Sequence, residues 1–140
     1  MLNPILEGGT SVDLAKQVIV EHSEAINARD ARAYTATMAF PFTYQNYNGV
    51  ALTIERGDQC GVIEPWPWEI ILRTDPDWSY TDFDEIEAVA RSVSSAVFKV
   101  GFRRVDVAGK RSGLYDAIWI ATWRDESWGV QFRHNLGLRM

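Results

Sequence analysis

Three long runs of strand-forming residues, 79–91, 94–107 and 114–124, follow one another with only short turns between them, and a fourth run, 130–138, ends the sequence. Turns as short as Ala108-Gly109-Lys110 and Asp125-Glu126-Ser127 impose antiparallel pairing, because a parallel neighbour needs a crossover of about a dozen residues. A meander of this length has a face that apolar material must cover. The same chain supplies the cover. Leu14, Ala15, Val18, Ile19, His22, Ala25 and Ile26 recur at helical spacing with Lys16, Glu21 and Glu24 opposite them, which predicts an amphipathic helix of about 17 residues. Thr10 or Ser11 is placed to cap it, with Asp13 in its first turn, after a lead-in over residues 1–9 that ends in Gly8-Gly9.

The remaining punctuation fits the same plan. Asn27-Ala28-Arg29-Asp30 breaks the first helix, and Asp30 is placed to cap a second, short one running through about Met38, with Ala33, Tyr34, Thr37 and Met38 on its inner side and Pro41 as its stop. Strands over 42–47 and 50–54 flank Asn48-Gly49, a tight-turn signal for a hairpin. Between 55 and 76 the pattern is less regular: a short helix over 57–63, an aromatic turn at Pro65-Trp66-Pro67-Trp68, and a helical stretch over 69–73 before Asp75-Pro76. Helices gathered early and strands late predict an α+β domain over 1–140, its helices packed on a strongly curved, mostly antiparallel sheet. A cavity is expected where a helix and a bent sheet fail to fill the space between them.

Composition narrows the partners. Nineteen acidic residues against fourteen basic ones give a net charge of -5, and the only adjacent basic pairs are Arg103-Arg104 and Lys110-Arg111. Phosphate recognition needs a concentrated positive surface, so no nucleic-acid partner is expected. Cys60 is the single cysteine, which excludes an internal disulfide and a cysteine–histidine zinc site. No apolar run is long enough to span a bilayer, and MLNPILEGGTS lacks the basic-then-apolar order of a secretion signal, so a cytoplasmic protein with no membrane association is expected. Six tryptophans, six phenylalanines and five tyrosines point to an aromatic core, an aromatic-lined pocket, an interface, or some mixture of these.

The stretch Ile26-Asn27-Ala28-Arg29-Asp30-Ala31-Arg32-Ala33-Tyr34 resembles the junction between the first two helices of NTF2-like (SnoaL-like) proteins, which commonly reads Asn-Ala/Gly-x-Asp. Trp128-Gly129-Val130-Gln131-Phe132-Arg133 resembles the entry to their last strand, and Phe40-Pro41-Phe42 with Tyr115 to Thr122 is similar to a group of uncharacterised bacterial SnoaL-like proteins. The resemblance implies the cystatin-like cone fold and a homodimer paired through the outer sheet face. It does not by itself imply one activity, because the superfamily holds isomerases, dehydratases, cyclases, epoxide hydrolases and non-enzymes. Aligned on the Asn-Ala-x-Asp junction, the steroid-isomerase pattern puts His22 where that family has a tyrosine, Asn46 where it has a general-base carboxylate, and Trp119 near its late-strand acid. An amide accepts no proton at useful pH and an indole is a weak donor, so that chemistry is not expected. An Asp-Arg-Asp epoxide-hydrolase arrangement is not evident either, since Asp116 and Arg124 flank the wrong faces if Trp119, Ala121 and Trp123 point inward.

The candidate site residues follow from these placements. His22 interrupts the apolar stripe of the first helix, and His134 alternates with Phe132 and Leu136; with Phe132 inward, His134 also faces the pocket. The resemblance places both histidines on the cavity side. They form either a general acid/base pair or two buried structural histidines. Phe42, Tyr44 and Asn46 share a strand face, where Tyr44 and Asn46 supply a hydroxyl and an amide for orienting a ligand or for satisfying each other. Trp119 and Trp123 share a face with Tyr115, as core or as an aromatic wall for a flat apolar ligand. Trp66 and Trp68 either cap the pocket mouth or form a satellite cluster under a loop. Asp82, Asp84, Glu85 and Glu87 read as a solvated edge rather than a metal site, and Cys60 receives no catalytic role.

Three functions remain. The chain binds a small apolar molecule without transforming it; or it is a cofactor-free acid/base enzyme working through His134 and His22; or it is a non-catalytic interaction module whose cavity is filled by its own Trp and Phe side chains, with Ile118 and Ile120 opposite the Trp119 face as a dimer surface. No cofactor and no metal are expected in any of the three.

Overall fold

Residues 11–140 are described by the structure, a computed structural model; the lead-in over 1–9 and a capping side chain at Thr10 or Ser11 lie outside the described part. Helix α1 (Ser11–Ala28) buries Ala15, Val18, Ile19, His22, Ala25 and Ile26, the stripe that its spacing predicts. Its end is built by the Asn-Ala-Arg-Asp junction. Arg29 takes a left-handed backbone (φ 55°) and donates its amide to the Ile26 carbonyl, while the Asp30 carboxylate accepts from Ala33 N at 3.0 Å and caps α2 (Ala31–Ala36). Asn27 reaches sideways to the sheet. Its amide donates to the Thr81 carbonyl at 2.7 Å, and its oxygen accepts from Thr81 N at 2.7 Å. One side chain thus satisfies the backbone of an edge strand and fixes the helix against it.

The second helix ends two residues earlier than its inner-face pattern predicts. Thr37 closes it, and Met38 already begins β1 (Met38–Asn46), so Pro41 lies inside a strand rather than ending a helix. β2 (Ala51–Ile54) returns through the Asn48-Gly49 turn with Gly49 at φ 91°, a conformation open to glycine. A short turn of helix at Gly57–Gln59 and helix α3 (Pro67–Thr74) follow. α3 starts at Pro67 because a proline at the first helical position costs no hydrogen bond. Then come β3 (Trp78–Arg91), β4 (Ser95–Asp106), β5 (Tyr115–Arg124) and β6 (Ser127–Leu138).

The six strands form one curved, unclosed sheet in the order β2-β1-β6-β5-β4-β3. All neighbours are antiparallel except β1 and β6, which run parallel and join the early hairpin to the late meander. α1 lies across the inner face, which carries Phe98, Val100, Ala117, Trp119, Ala121 and Val130, each at most 4% exposed. Burying a side chain the size of Phe98 contributes about 1.5–3 kcal/mol, so this row dominates the core. The acidic run lies on the β3 edge, where it is paired with arginines: Asp82 with Arg111 at 2.7 Å, Asp84 with Arg103 at 3.6 Å, and Glu85 with Arg139 at 2.7 Å.

The register of β6 against β5 shifts twice, at Leu136 near the end of β6 and, with consequences for the inner face, at Gln131. Ala121 pairs with Val130, but Ile120 pairs with Phe132 and Trp119 with Arg133, so Gln131 is an extra residue. Such a bulge turns everything beyond it to the other face. Without it Phe132 would stand opposite Trp119 and point inward, as the alternation predicts. With it Phe132 and His134 stand beside Ile120 and Ile118 on the outer face, and Arg133 and Asn135 turn inward.

Candidate functional site

Between the inner sheet face, α2 and α3 lies a cavity of about 150 Å³. Phe42, Tyr44 and Asn46 enter it from β1, Trp119 from β5, Tyr34 from α2 and Trp66 from the loop before α3. The structure therefore brings four of the sequence-derived candidates, Phe42, Tyr44, Asn46 and Trp119, to one wall. Trp66 lines the space, whereas Trp68, stacked on it at 5.3 Å, is buried in the main core and not in a satellite cluster. Both tryptophans meet Tyr34 edge-on, at 6.1 and 5.9 Å.

Four candidates lie elsewhere. Phe132 and His134 are turned away by the Gln131 bulge and do not line the cavity. Trp123 sits at the far end of the β5–β6 hairpin against Trp128 (6.0 Å between rings) and does not reach it. His22 points at the sheet, as its place in the stripe predicts, yet it stands one layer behind the wall. Its ring packs on Tyr34 at 4.6 Å and against Trp119 at 5.4 Å, and it does not line the space itself.

The state of His22 follows from its neighbours. Thr37 Oγ1 donates its one hydrogen to the Tyr34 carbonyl at 2.8 Å, so it meets His22 Nδ1, also at 2.8 Å, as an acceptor. Nδ1 therefore carries the proton and Nε2 is a bare lone pair, buried without a partner. Burial, and then the nearby Arg133 charge, hold the imidazole well below its ordinary pKa, so the ring is neutral. Burial likewise holds the Tyr34 phenol above its ordinary range, and it accepts a hydrogen bond from Arg133 Nη2 at 2.8 Å.

Arg133 is the residue that reading the sequence missed. It lies 9% exposed at the cavity wall, surrounded by the rings of Tyr34, Phe42, Tyr44 and Trp119 at 5.3–5.7 Å from its guanidinium carbon. Its Nε is buried with no partner, and no ion pair among the described residues includes it. Glu64 is the one carboxylate among the lining residues. Asn46 Oδ1 is also buried and unpartnered. The signal that finds Arg133 is its pairing opposite Trp119, which requires knowing of the bulge. Among the described residues no cluster of metal-ligating side chains occurs, and no helix is long and apolar enough to cross a membrane.

Comparison with known proteins speaks to the fold. No protein-family model matches the sequence, and no curated protein matches it. Solved structures do. An uncharacterised protein with a cystatin-like fold from Caulobacter vibrioides is similar at 18% identity and a TM-score of 0.67, over 91% of this chain and 89% of that one. An NTF-2 like protein of unknown function from Shewanella oneidensis is similar at 15% identity and 0.59, over 89% and 97%. A ketosteroid isomerase-like protein from Erwinia carotovora atroseptica is similar at 14% identity and 0.61, over 91% and 96%. With its helices laid on one curved sheet and a cavity beneath them, this chain has the cystatin-like α+β fold of the NTF2-like proteins.

Proposed function

We propose that this protein binds a small, mostly apolar molecule in the cavity beneath α1–α3, and that it does so as a homodimer. The observation that supports binding is the unfilled space itself. Protein interiors keep few voids larger than a water molecule, and this one measures about 150 Å³, with walls of Phe42, Tyr44, Trp66 and Trp119. A cavity of about that size accepts a single benzene ring. Binding is favoured over histidine acid/base chemistry by position: neither His22 nor His134 lines the space. It is favoured over a self-filled cavity because the indoles of Trp66 and Trp119 form the wall and leave the volume between them.

The test is titration with toluene and indole followed by ligand-observed NMR. Saturable binding is expected in the wild type and in His134→Gln. In Leu52→Trp, where a larger side chain grows from the cavity lining, affinity should fall by at least about tenfold, the equivalent of ~1.4 kcal/mol. Failure of both probes to bind, or binding unaffected by filling the cavity, overturns the reading.

A further inference from the structure

We propose that the molecule held in this cavity is a carboxylate, a single-ring or similarly sized apolar acid whose anionic group is received by Arg133. The inference rests on the binding reading above and specifies its chemistry. A guanidinium cannot shed its charge in a protein, and a buried cation is normally matched by a carboxylate. The half-buried arginines of β4 follow that rule: Arg104 meets Asp75 at 2.8 Å and Arg103 meets Asp84 at 3.6 Å. Arg133 is more buried than either and has no such partner.

What surrounds Arg133 compensates its charge in part and aims it. Four aromatic faces at 5.3–5.7 Å offer cation–π stabilisation. The one hydrogen bond, from Nη2 to the Tyr34 hydroxyl at 2.8 Å, fixes the plane of the group. Its Nε remains unused, and a guanidinium fork fits a carboxylate with two parallel bonds. Asn46, whose amide oxygen also lacks a partner at the same wall, stands two residue pairs beyond the Tyr44–Arg133 pair, on the same face, in the parallel β1–β6 register. The two terminal atoms of an amide are interchangeable by rotation, so the same side chain can present its NH₂ to an anion. The volume left beyond these groups takes one ring. Cation, amide and apolar walls together describe a site for a small acid with an apolar body.

The probes that test this are benzoate, its neutral isostere benzamide, and toluene, titrated against the full chain at neutral pH. In the wild type benzoate should bind at least about tenfold more tightly than benzamide, since only the anion can form a charge-assisted pair with the guanidinium. In Arg133→Met, which keeps an unbranched apolar stem and removes the charge, the ratio should fall to about one while toluene still binds. Arg133→Gln, which also removes the charge but keeps hydrogen-bonding atoms on the side chain, should lose the preference as well, which leaves a second readout if Arg133→Met does not fold. Equal binding of benzoate and benzamide by the wild type overturns the proposal, as does a preference for benzoate that survives Arg133→Met. If toluene and benzamide bind but benzoate does not, only the carboxylate assignment fails. If none of the three binds, the binding reading fails with it.

Discussion

At the scale of single residues, His22 makes a claim about pH. It is neutral in the folded protein, with its proton on Nδ1 facing Thr37 and with burial and Arg133 both opposing a second proton. In the unfolded chain the same imidazole titrates near its ordinary value of about 6.5. A depressed folded pKa means that the unfolded state takes up the proton first. The contribution is therefore fully present above about pH 6.5 and is lost as pH falls below it, by up to about 1.4 kcal/mol per pH unit, until the folded pKa is reached. Urea unfolding between pH 7 and 5 should show that slope in the wild type. His22→Asn, which keeps a short amide donor near Thr37 but does not titrate, should be less stable overall and flatter with pH; an unchanged slope would locate the titration elsewhere. The inward direction of His22 was legible, because helical spacing fixes the face of a side chain. Its depth was not, since whether an inward group lines a cavity or stands behind a ring depends on Tyr34 and Trp119, which come from other elements. Arg133 was illegible for a sharper reason: an arginine adjacent to an inward-read histidine on an alternating strand reads as solvent-facing, and one inserted residue reverses that reading.

At the scale of elements, the order of helices and strands was legible, because apolar periodicity and turn residues are local signals, whereas their bounds slipped where the second helix gives way to β1 at Met38. The Asn27-Ala28-Arg29-Asp30 junction marked the helix break for reasons the structure makes explicit: Asn27 is bonded to the edge-strand backbone at Thr81, and Asp30 caps α2. What local signals do not encode is register between distant strands. The parallel β1–β6 pairing and the Gln131 bulge both depend on partners far apart in sequence, as in the bond from Gln131 Nε2 to the Pro41 carbonyl at 3.0 Å. Trp128-Gly129 belongs to the same contact. A Cβ on Gly129 would come within 2.9 Å of backbone atoms of Met38 and Ala39, where β6 passes the start of β1 and Val130 N donates to the Thr37 carbonyl at 2.8 Å. Backbone cannot yield as a flexible side chain does. Gly129→Ala should therefore destabilise the protein by about 1–3 kcal/mol, the usual range for overpacking. Chemical denaturation checks this, and a loss under ~0.5 kcal/mol would mean that the two strands separate without cost.

At the scale of the whole molecule, the bulge that places Arg133 inside also composes the outer surface. Val97, Ile120 and Phe132 stand in register across β4, β5 and β6, and Lys99, Ile118 and His134 form the next row. Their strand neighbours Phe98, Trp119 and Arg133 face the core, so these rows face away from it. The helix that contacts the sheet most, α1, lies on the inner side. A row of partly exposed Val, Ile and Phe bordered by polar residues is the pattern of a protein–protein surface, and the homodimer implied by the resemblance to NTF2-like proteins would cover it with its own equivalent. In a two-fold pair each copy's patch meets the same patch, so one substitution acts twice. Ile120→Glu places a carboxylate in the middle of both patches and should convert a dimer into a monomer, as read by analytical ultracentrifugation. The inner face is untouched by this change, so toluene affinity should hold if the cavity is complete within one copy. A wild type that sediments as a monomer at tens of micromolar (~10⁻⁵ M, where even a modest specific interface would associate) would leave the row without the partner assigned to it. A dimer unaffected by Ile120→Glu would move the interface elsewhere, most directly to the β2 or β3 edges, the unpaired sides of the open sheet.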